Sequence, residues 1–299
     1  MKSIKTNHKK HVTKNNKTTI MAHCVVFNEE RWVWYAINSV INYVDKILIY
    51  DTGSTDRTVE IIQSMHSPKI TLEKKGRVSL AGFTDMRQEM LARTDTDWFF
   101  ILDGDDVWPE ETIRELREKI VRATLEKKAV VVGFWSCVGD IFHYSEQVEK
   151  LVHPNAPPGV TGWMATRALR TTIPGLHYTS VYGLQGLMDE EGSGLSEWGE
   201  KGIIYLDGKY FHMSYLPRSS SREKDREVPF RSQKTRFYKG APFPEGMKYP
   251  EVFYKKRPAI VPSPWKKLTL KDELMGLYYR TENFFERLRK RGKLRGFAH

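Results

Sequence analysis

Cysteine is nearly absent: only Cys24 and Cys137 occur in 299 residues. Both sit in apolar, strand-like runs. They provide no disulfide framework and no zinc spacing, and they predict buried free thiols in a reducing compartment. No stretch approaches the ~20 consecutive apolar residues that span a bilayer. The first residues lack the apolar segment of a secretory leader, so a cytoplasmic protein is expected. The chain contains no GxGxxG, no GxxxxGK[ST] and no GxSxG. Those absences argue against a dinucleotide oxidoreductase, a P-loop nucleotide hydrolase and an α/β-hydrolase.

Acidic residues are missing from both ends. Residues 1–17 hold Lys2, Lys5, Lys9, Lys10, Lys14 and Lys17, and residues 287–299 hold Arg287, Arg289, Lys290, Arg291, Lys293 and Arg295. The net charge is +11, so the two ends carry all of it and the middle sums to about −1. Basic arms on a nearly neutral body favour polyanions, either nucleic acid or an anionic lipid or glycan surface, or else act as solubilising tails.

The stretch that organises the rest is Asp97–Pro109, DWFFILDGDDVWP. Trp98–Leu102 predicts a buried strand that ends abruptly in Asp103, Gly104, Asp105 and Asp106. Three carboxylates on one turn repel each other unless water or a cation neutralises them. A hard divalent ion takes one or two carboxylates together with phosphate oxygens. Asp103 and Asp105 are placed to serve one such ion, and Gly104 allows a close approach of the backbone. The alternative is an acidic turn that caps the following helix.

Strands are predicted at Thr19–Phe27, Lys46–Tyr50, Ile70–Glu73, Trp98–Leu102 and Ala129–Trp135, with helices at Arg31–Val44, Arg57–Met65, Phe83–Arg93 and Glu110–Leu125. Alternation of strands and helices predicts βαβ units and a mainly parallel sheet. Ligands bind beyond the carboxyl ends of such strands. Polar clusters fall there three times: Asn28–Glu30, Asp51–Asp56 and Asp103–Asp106. Further on, Ile203–Leu206 and Tyr210–Met213 around Asp207-Gly208 predict a β-hairpin. Ser219–Arg231 is a polar loop, residues 240–266 are rich in proline and aromatics, and Lys271–Arg291 is a last helix with Leu274, Leu277, Tyr278, Phe284, Phe285 and Leu288 on its apolar side. The expected organisation is a basic arm (1–18), an α/β domain (19–215) and a smaller C-terminal extension (216–299).

Three motifs in order resemble family 2 glycosyltransferases: VVFNEE (Val25–Glu30), IYDTGSTDRT (Ile49–Thr58) and ILDGDDVWPEE (Ile101–Glu111). FTDMRQEMLARTDTDW (Phe83–Trp98) resembles the helix that feeds the family's Asp-x-Asp strand, with Arg87 at its common arginine. The likeness covers residues 19–135 well and thins beyond 140. It implies a GT-A fold, a nucleotide-sugar donor such as a UDP-sugar, and Mn²⁺ or Mg²⁺. It places Asp51 on the nucleoside, with Phe27, Asn28, Glu29 and Ser54 about the same pocket. Arg87, Asp103 and Gly104 fall at the phosphates, and Asp103, Asp105 and His212 on the metal. Histidine among the ligands suits Mn²⁺ better than Mg²⁺. Arg218–Arg222 is placed to fold over a diphosphate.

The family inverts the anomeric centre and needs a base for the acceptor hydroxyl. Here Tyr182-Gly183 stands where relatives carry His-Glu, and the nearest acids are Asp189 and Glu190, which are the candidates. Trp135, Trp163, Tyr178 and Trp198 are candidate stacking residues. The acceptor is expected to be anionic or on an anionic surface: a lipid-linked or surface glycan with peripheral membrane contact, or DNA bearing a hydroxylated base. Two rival readings are a non-catalytic protein that binds a nucleotide-sugar and a nucleotidyltransferase.

Overall fold

Alternating burial builds the centre of the molecule. In β1 (Ile20–Val26), Ile20, Ala22, Cys24 and Val26 face one layer of helices, while Met21 faces the other. That is the period-two pattern of a strand covered on both faces. The computed structural model describes residues 17–79, 82–146, 162–179, 186–229, 231–279 and 281. The lysines at 2–14, residues 287–299, Tyr182, Gly183 and the last helix beyond 281 lie outside them.

From β1 the chain runs through α1 (Val33–Val40), β2 (Lys46–Asp51), α2 (Thr58–Gln63), β3 (Ile70–Lys74), α3 (Gly82–Ala92) and β4 (Trp98–Asp103). The strands pair in parallel in the order β3-β2-β1-β4. Val26 pairs with Asp51 and Val25 with Asp103, so the three polar clusters share one edge. A short β5 (Asp106–Val107) leads to α4 (Glu110–Val121), β6 (Ala129–Val138), β7 (Asp140–Tyr144) and β8 (Met164–Arg170). β8 inserts antiparallel between β4 and β6, so the sheet is mixed but mostly parallel. A small hairpin, β9 (His177–Thr179) with β10 (Gly186–Met188), and α5 (Leu195–Gly202) follow. Cys24 and Cys137 are buried free thiols, as expected.

The hairpin expected around Asp207-Gly208 does not form. Ile203–His212 is one strand, β11, parallel to β6, with a register shift between Tyr205 and Lys209. The Asp207 and Gly208 amides donate to the Glu115 carboxylate of α4 at 2.9 and 3.1 Å. A Cβ on Gly208 would lie 2.4 Å from Thr112 Oγ1. The Asp-Gly pair is therefore a bulge seated on a helix, not a turn. The polar segment after residue 218 also contains structure: α6 (Arg222–Glu227), capped by Ser221, and α7 (Arg231–Lys234). A two-residue β12 (Ala241–Pro242) pairs with β7. Residues 270–279 are helical. No helix among the described residues is long and apolar enough to cross a membrane.

Candidate functional site

A cavity of about 620 Å³ opens at the carboxyl edge of the sheet. Its floor comes from the ends of β1 and β4, and Arg218, Glu227, Arg231 and Lys234 wall it from the C-terminal side. Gly104 is required by close approach: a Cβ there would lie 2.9 Å from Glu29 Cγ. The turn after β4 thus presses against Glu29.

The three aspartates part company in this turn. Asp103 takes Arg167 Nη1 at 2.8 Å and Arg87 Nη2 at 3.4 Å. Burial works against its charge, but Arg167 and Arg87 outweigh burial and hold its carboxyl well below the usual range. Asp106 is fully buried and takes Arg167 Nη2 at 2.9 Å and His212 Nδ1 at 2.7 Å. Asp105 lies 2.9 Å from Arg218 Nη1 and 3.8 Å from His212 Nδ1, yet its buried Oδ2 makes no hydrogen bond of good geometry. Burial opposes ionisation of Asp105 too, and Arg218 and His212 keep its pKa below normal. His212 closes β11; burial pulls its pKa down, but Asp105 and Asp106 prevail and raise it. Ligand atoms of Asp105, Asp106 and His212 lie within 4.8 Å of one another. Asp103, expected among the metal ligands, is instead engaged by two guanidinium groups.

Glu29 faces Asp105 from β1's end. Its Oε1 accepts from Arg218 at 3.0 Å and Arg231 at 2.5 Å, while its buried Oε2 has no hydrogen-bond partner. Burial raises its pKa to about 8, with Arg218 and Arg231 only partly opposing the rise. Phe27 lies beneath the Arg77 guanidinium, 4.6 Å from ring centroid to carbon, and Arg77 reaches Glu227 at 2.6 Å.

Other expected residues are hydrogen-bonded within the turns beside the cavity. Asn28, at a positive φ of 53°, accepts the amides of Thr55 and Asp56 on Oδ1 and donates Nδ2 to the Lys224 carbonyl. The Ser54 hydroxyl accepts the Asn28 amide, and Asp51 accepts the amides of Gly53 and Ser54 at 3.2 Å. Neither Asn28, Ser54 nor Asp51 lines the cavity; Thr52 does.

Asp189 and Glu190, expected to supply the base, are not brought there. Asp189 accepts from Trp198 Nε1 at 2.9 Å and Lys128 Nζ at 3.2 Å, beside the amino end of β6, which is the opposite edge of the sheet. Glu190 is exposed next to Gly175. Trp198 packs with Asp189, and Trp135 packs edge-on against Tyr144 and Phe243. Tyr178 stands near Arg87, and Trp163 lies at the surface over Phe134.

Arg167 and Arg231 were not singled out from the sequence. Arg167 sits mid-strand in β8 and is almost wholly buried, with its guanidinium on Asp103, Asp106 and the Tyr210 hydroxyl. No local signal marked it, since β8 holds a second arginine, Arg170, and its strand was not expected from the sequence.

The sequence profile of Glycosyl transferase family 2 matches residues 23–172, half of the chain and the half that holds the three polar clusters of this edge. The chain belongs to glycosyl transferase family 2. By sequence it is similar to Glycosyltransferase SunS of Bacillus phage SPbeta, 25% identical over 135 residues, which is 45% of this chain and 29% of SunS. It is also similar to an uncharacterized glycosyltransferase of Rickettsia bellii (strain RML369-C), 32% identical over 101 residues, covering 34% of this chain and 31% of that protein. The chain thus spans less than a third of the length of these relatives. A solved structure with a partial likeness is S. aureus TarS 1-349 in complex with UDP-GlcNAc, with 14% identity, a TM-score of 0.45, and 73% of this chain and 66% of that one covered.

Proposed function

We propose that this chain transfers a sugar from a nucleoside-diphosphate sugar to an acceptor hydroxyl with inversion at the anomeric carbon. The observation that carries this reading is the meeting, in one cavity, of Asp105 and His212 with Arg218, Arg231 and Lys234. In the transfer the bond from anomeric carbon to diphosphate oxygen breaks and the acceptor oxygen bonds to that carbon. The acceptor proton passes to a base, and negative charge collects on the leaving diphosphate.

Asp105, whose buried Oδ2 is ion-paired with Arg218 but makes no hydrogen bond, and His212 fit a divalent cation. Asp106 accepts the His212 Nδ1 proton, which leaves Nε2 with its lone pair as the free ligand atom, a common arrangement behind metal-bound histidine. When bound, such a cation supplies Lewis-acid stabilisation of the departing diphosphate. Arg231 and Lys234 add positive charge on the C-terminal wall, and Arg167 with Arg87 keeps Asp103 ionised without a cation of its own. Phe27 under Arg77 offers a flat face for a nucleobase.

A second reading dispenses with the metal. Arg218 already stands 2.9 Å from Asp105 and 3.0 Å from Glu29, where its guanidinium could neutralise the diphosphate directly. One experiment separates the readings. UDP-, GDP- and TDP-sugars are each presented with Mn²⁺, Mg²⁺ or EDTA, and thermal shift and release of nucleoside diphosphate are recorded. Stabilisation and release that require metal support the first reading, and release in EDTA supports the second. Release of pyrophosphate would indicate nucleotidyl transfer, and no response to any donor would reject both.

A further inference from the structure

The helix at residues 270–279 has two faces of opposite character. Thr269 caps it: Asp272 Oδ2 accepts the Thr269 amide at 3.0 Å, and Thr269 Oγ1 accepts the Asp272 amide at 3.2 Å, a reciprocal capping pair. One face is docked. A Cβ on Gly276 would lie 2.5 Å from Phe237 Cβ, and Tyr279 lies under the Arg222 guanidinium at 3.5 Å. At about 100° per residue, Leu270, Leu274, Leu277 and Tyr278 fall within one arc of about 100° on the far side. These four are 73%, 59%, 56% and 60% exposed. Four large apolar side chains aligned along a helix and turned outward are not scattered surface residues.

The charge around the stripe selects its partner. Lys271 is exposed beside it, Lys266 is exposed near Asp272 just before the helix, and the one acid on the stripe's flank, Glu273, lies 3.8 Å from Lys239. Beyond it the sequence carries Arg280, Glu282 and Glu286, then six basic and no acidic residues from 287 to 299. Two copies joined along this face would bring Lys271 of each towards the other, like charge against like. A phosphate backbone would match the lysines but leave the leucines without a partner. A bilayer with anionic head groups satisfies both, because apolar side chains enter the head-group and acyl boundary while lysine and arginine meet the negative surface. We infer that the outward face of the 270–279 helix is a docking surface for an anionic lipid bilayer. None of these residues lines the cavity, so the inference stands or falls apart from the donor reading.

The 299-residue chain is sedimented with vesicles of phosphatidylcholine alone and with about 30% phosphatidylserine, at roughly 0.1 and 0.5 M salt. Binding is expected to the anionic vesicles only and to weaken with salt. The double variant Leu274→Glu/Leu277→Glu alters only outward positions, and its circular dichroism and thermal unfolding should match the parent. It is expected to lower the partition coefficient about tenfold or more. Absence of binding, or equal binding by the double variant, would overturn the inference. So would a dimer in sedimentation velocity that the same variant dissociates, which would assign the stripe to a second copy.

Discussion

At the scale of single residues, the proposed metal site rests on the pairing of His212 with Asp106. The 2.7 Å bond between them orients the ring, so Asp106→Asn should weaken Mn²⁺ binding by about 10–100-fold while Asp105 remains in place. Calorimetric titration of Mn²⁺ into both proteins measures this, and unchanged affinity would remove Asp106 from any supporting role. His23 offers a separate residue-level test, on the opposite face of β1. It is buried, stacked on Phe99 at 5.0 Å, and 2.8 Å from Thr94 Oγ1, which donates to the Met90 carbonyl. The Nε2 atom therefore carries the proton. Burial, helped by Arg87, lowers its pKa from 6.5 to about 3. Between those values the unfolded chain binds the proton and the folded chain does not, so this group's contribution to stability falls as pH drops. The limiting slope is about 1.4 kcal/mol per pH unit. Glu29 acts in the other direction: its folded pKa near 8 stabilises at low pH, and that contribution is lost as pH rises from 4.5 to 8. The total curve mixes both, so the prediction concerns a difference. Relative to the parent, His23→Phe should lose less stability between pH 6.5 and 5 in urea unfolding, and parallel curves would contradict the assignment.

Among elements, β11 shows how a local signal is overridden. An Asp-Gly pair between apolar runs is a strong hairpin signature, yet α4 supplies Glu115 for both amides and Thr112 for the close contact. Gly208→Ala should destabilise by about 1–3 kcal/mol through overpacking, and Thr112→Ala in the same chain should restore part of the loss. Chemical denaturation of the four proteins of that cycle is the measurement, and strict additivity would sink the contact. The strands β1 to β4 and the helices between them were legible because each carries its own periodicity and ends in turn chemistry. β8 was not legible, because it is antiparallel and includes a buried arginine whose partners Asp103, Asp106 and Tyr210 are distant in sequence. α6 was hidden for a similar reason: its sequence, REKDRE, has no apolar stripe, and Lys224 to Thr55 and Glu227 to Arg77 tie it down.

Over the whole molecule, charge is distributed so that the neutral body bears the cavity and the ends bear the positive sum. Deleting residues 1–16 removes five lysines and takes the net charge from +11 to +6. Retention on heparin is expected to weaken and its salt dependence to flatten, since fewer counterions are released. Identical elution would show that these lysines contribute nothing to polyanion binding.

The sequence by itself determined that the chain builds a mainly parallel sheet with three polar clusters at one edge. Strand periodicity and the acidic turn after Leu102 are local properties, legible without contacts. Tertiary structure decided which of those polar residues meet. Asp103 went to Arg87 and Arg167, Asp105 and Asp106 came to His212, and Asn28 and Asp51 were taken up in closing turns. Asp189 was carried to the far edge by Lys128 and Trp198. The physical reason is that a buried charge must find its counter-charge: Arg87 of α3 answered from nearby in the chain, and the other arginines were contributed by β8 and by the segment after β11, far along it.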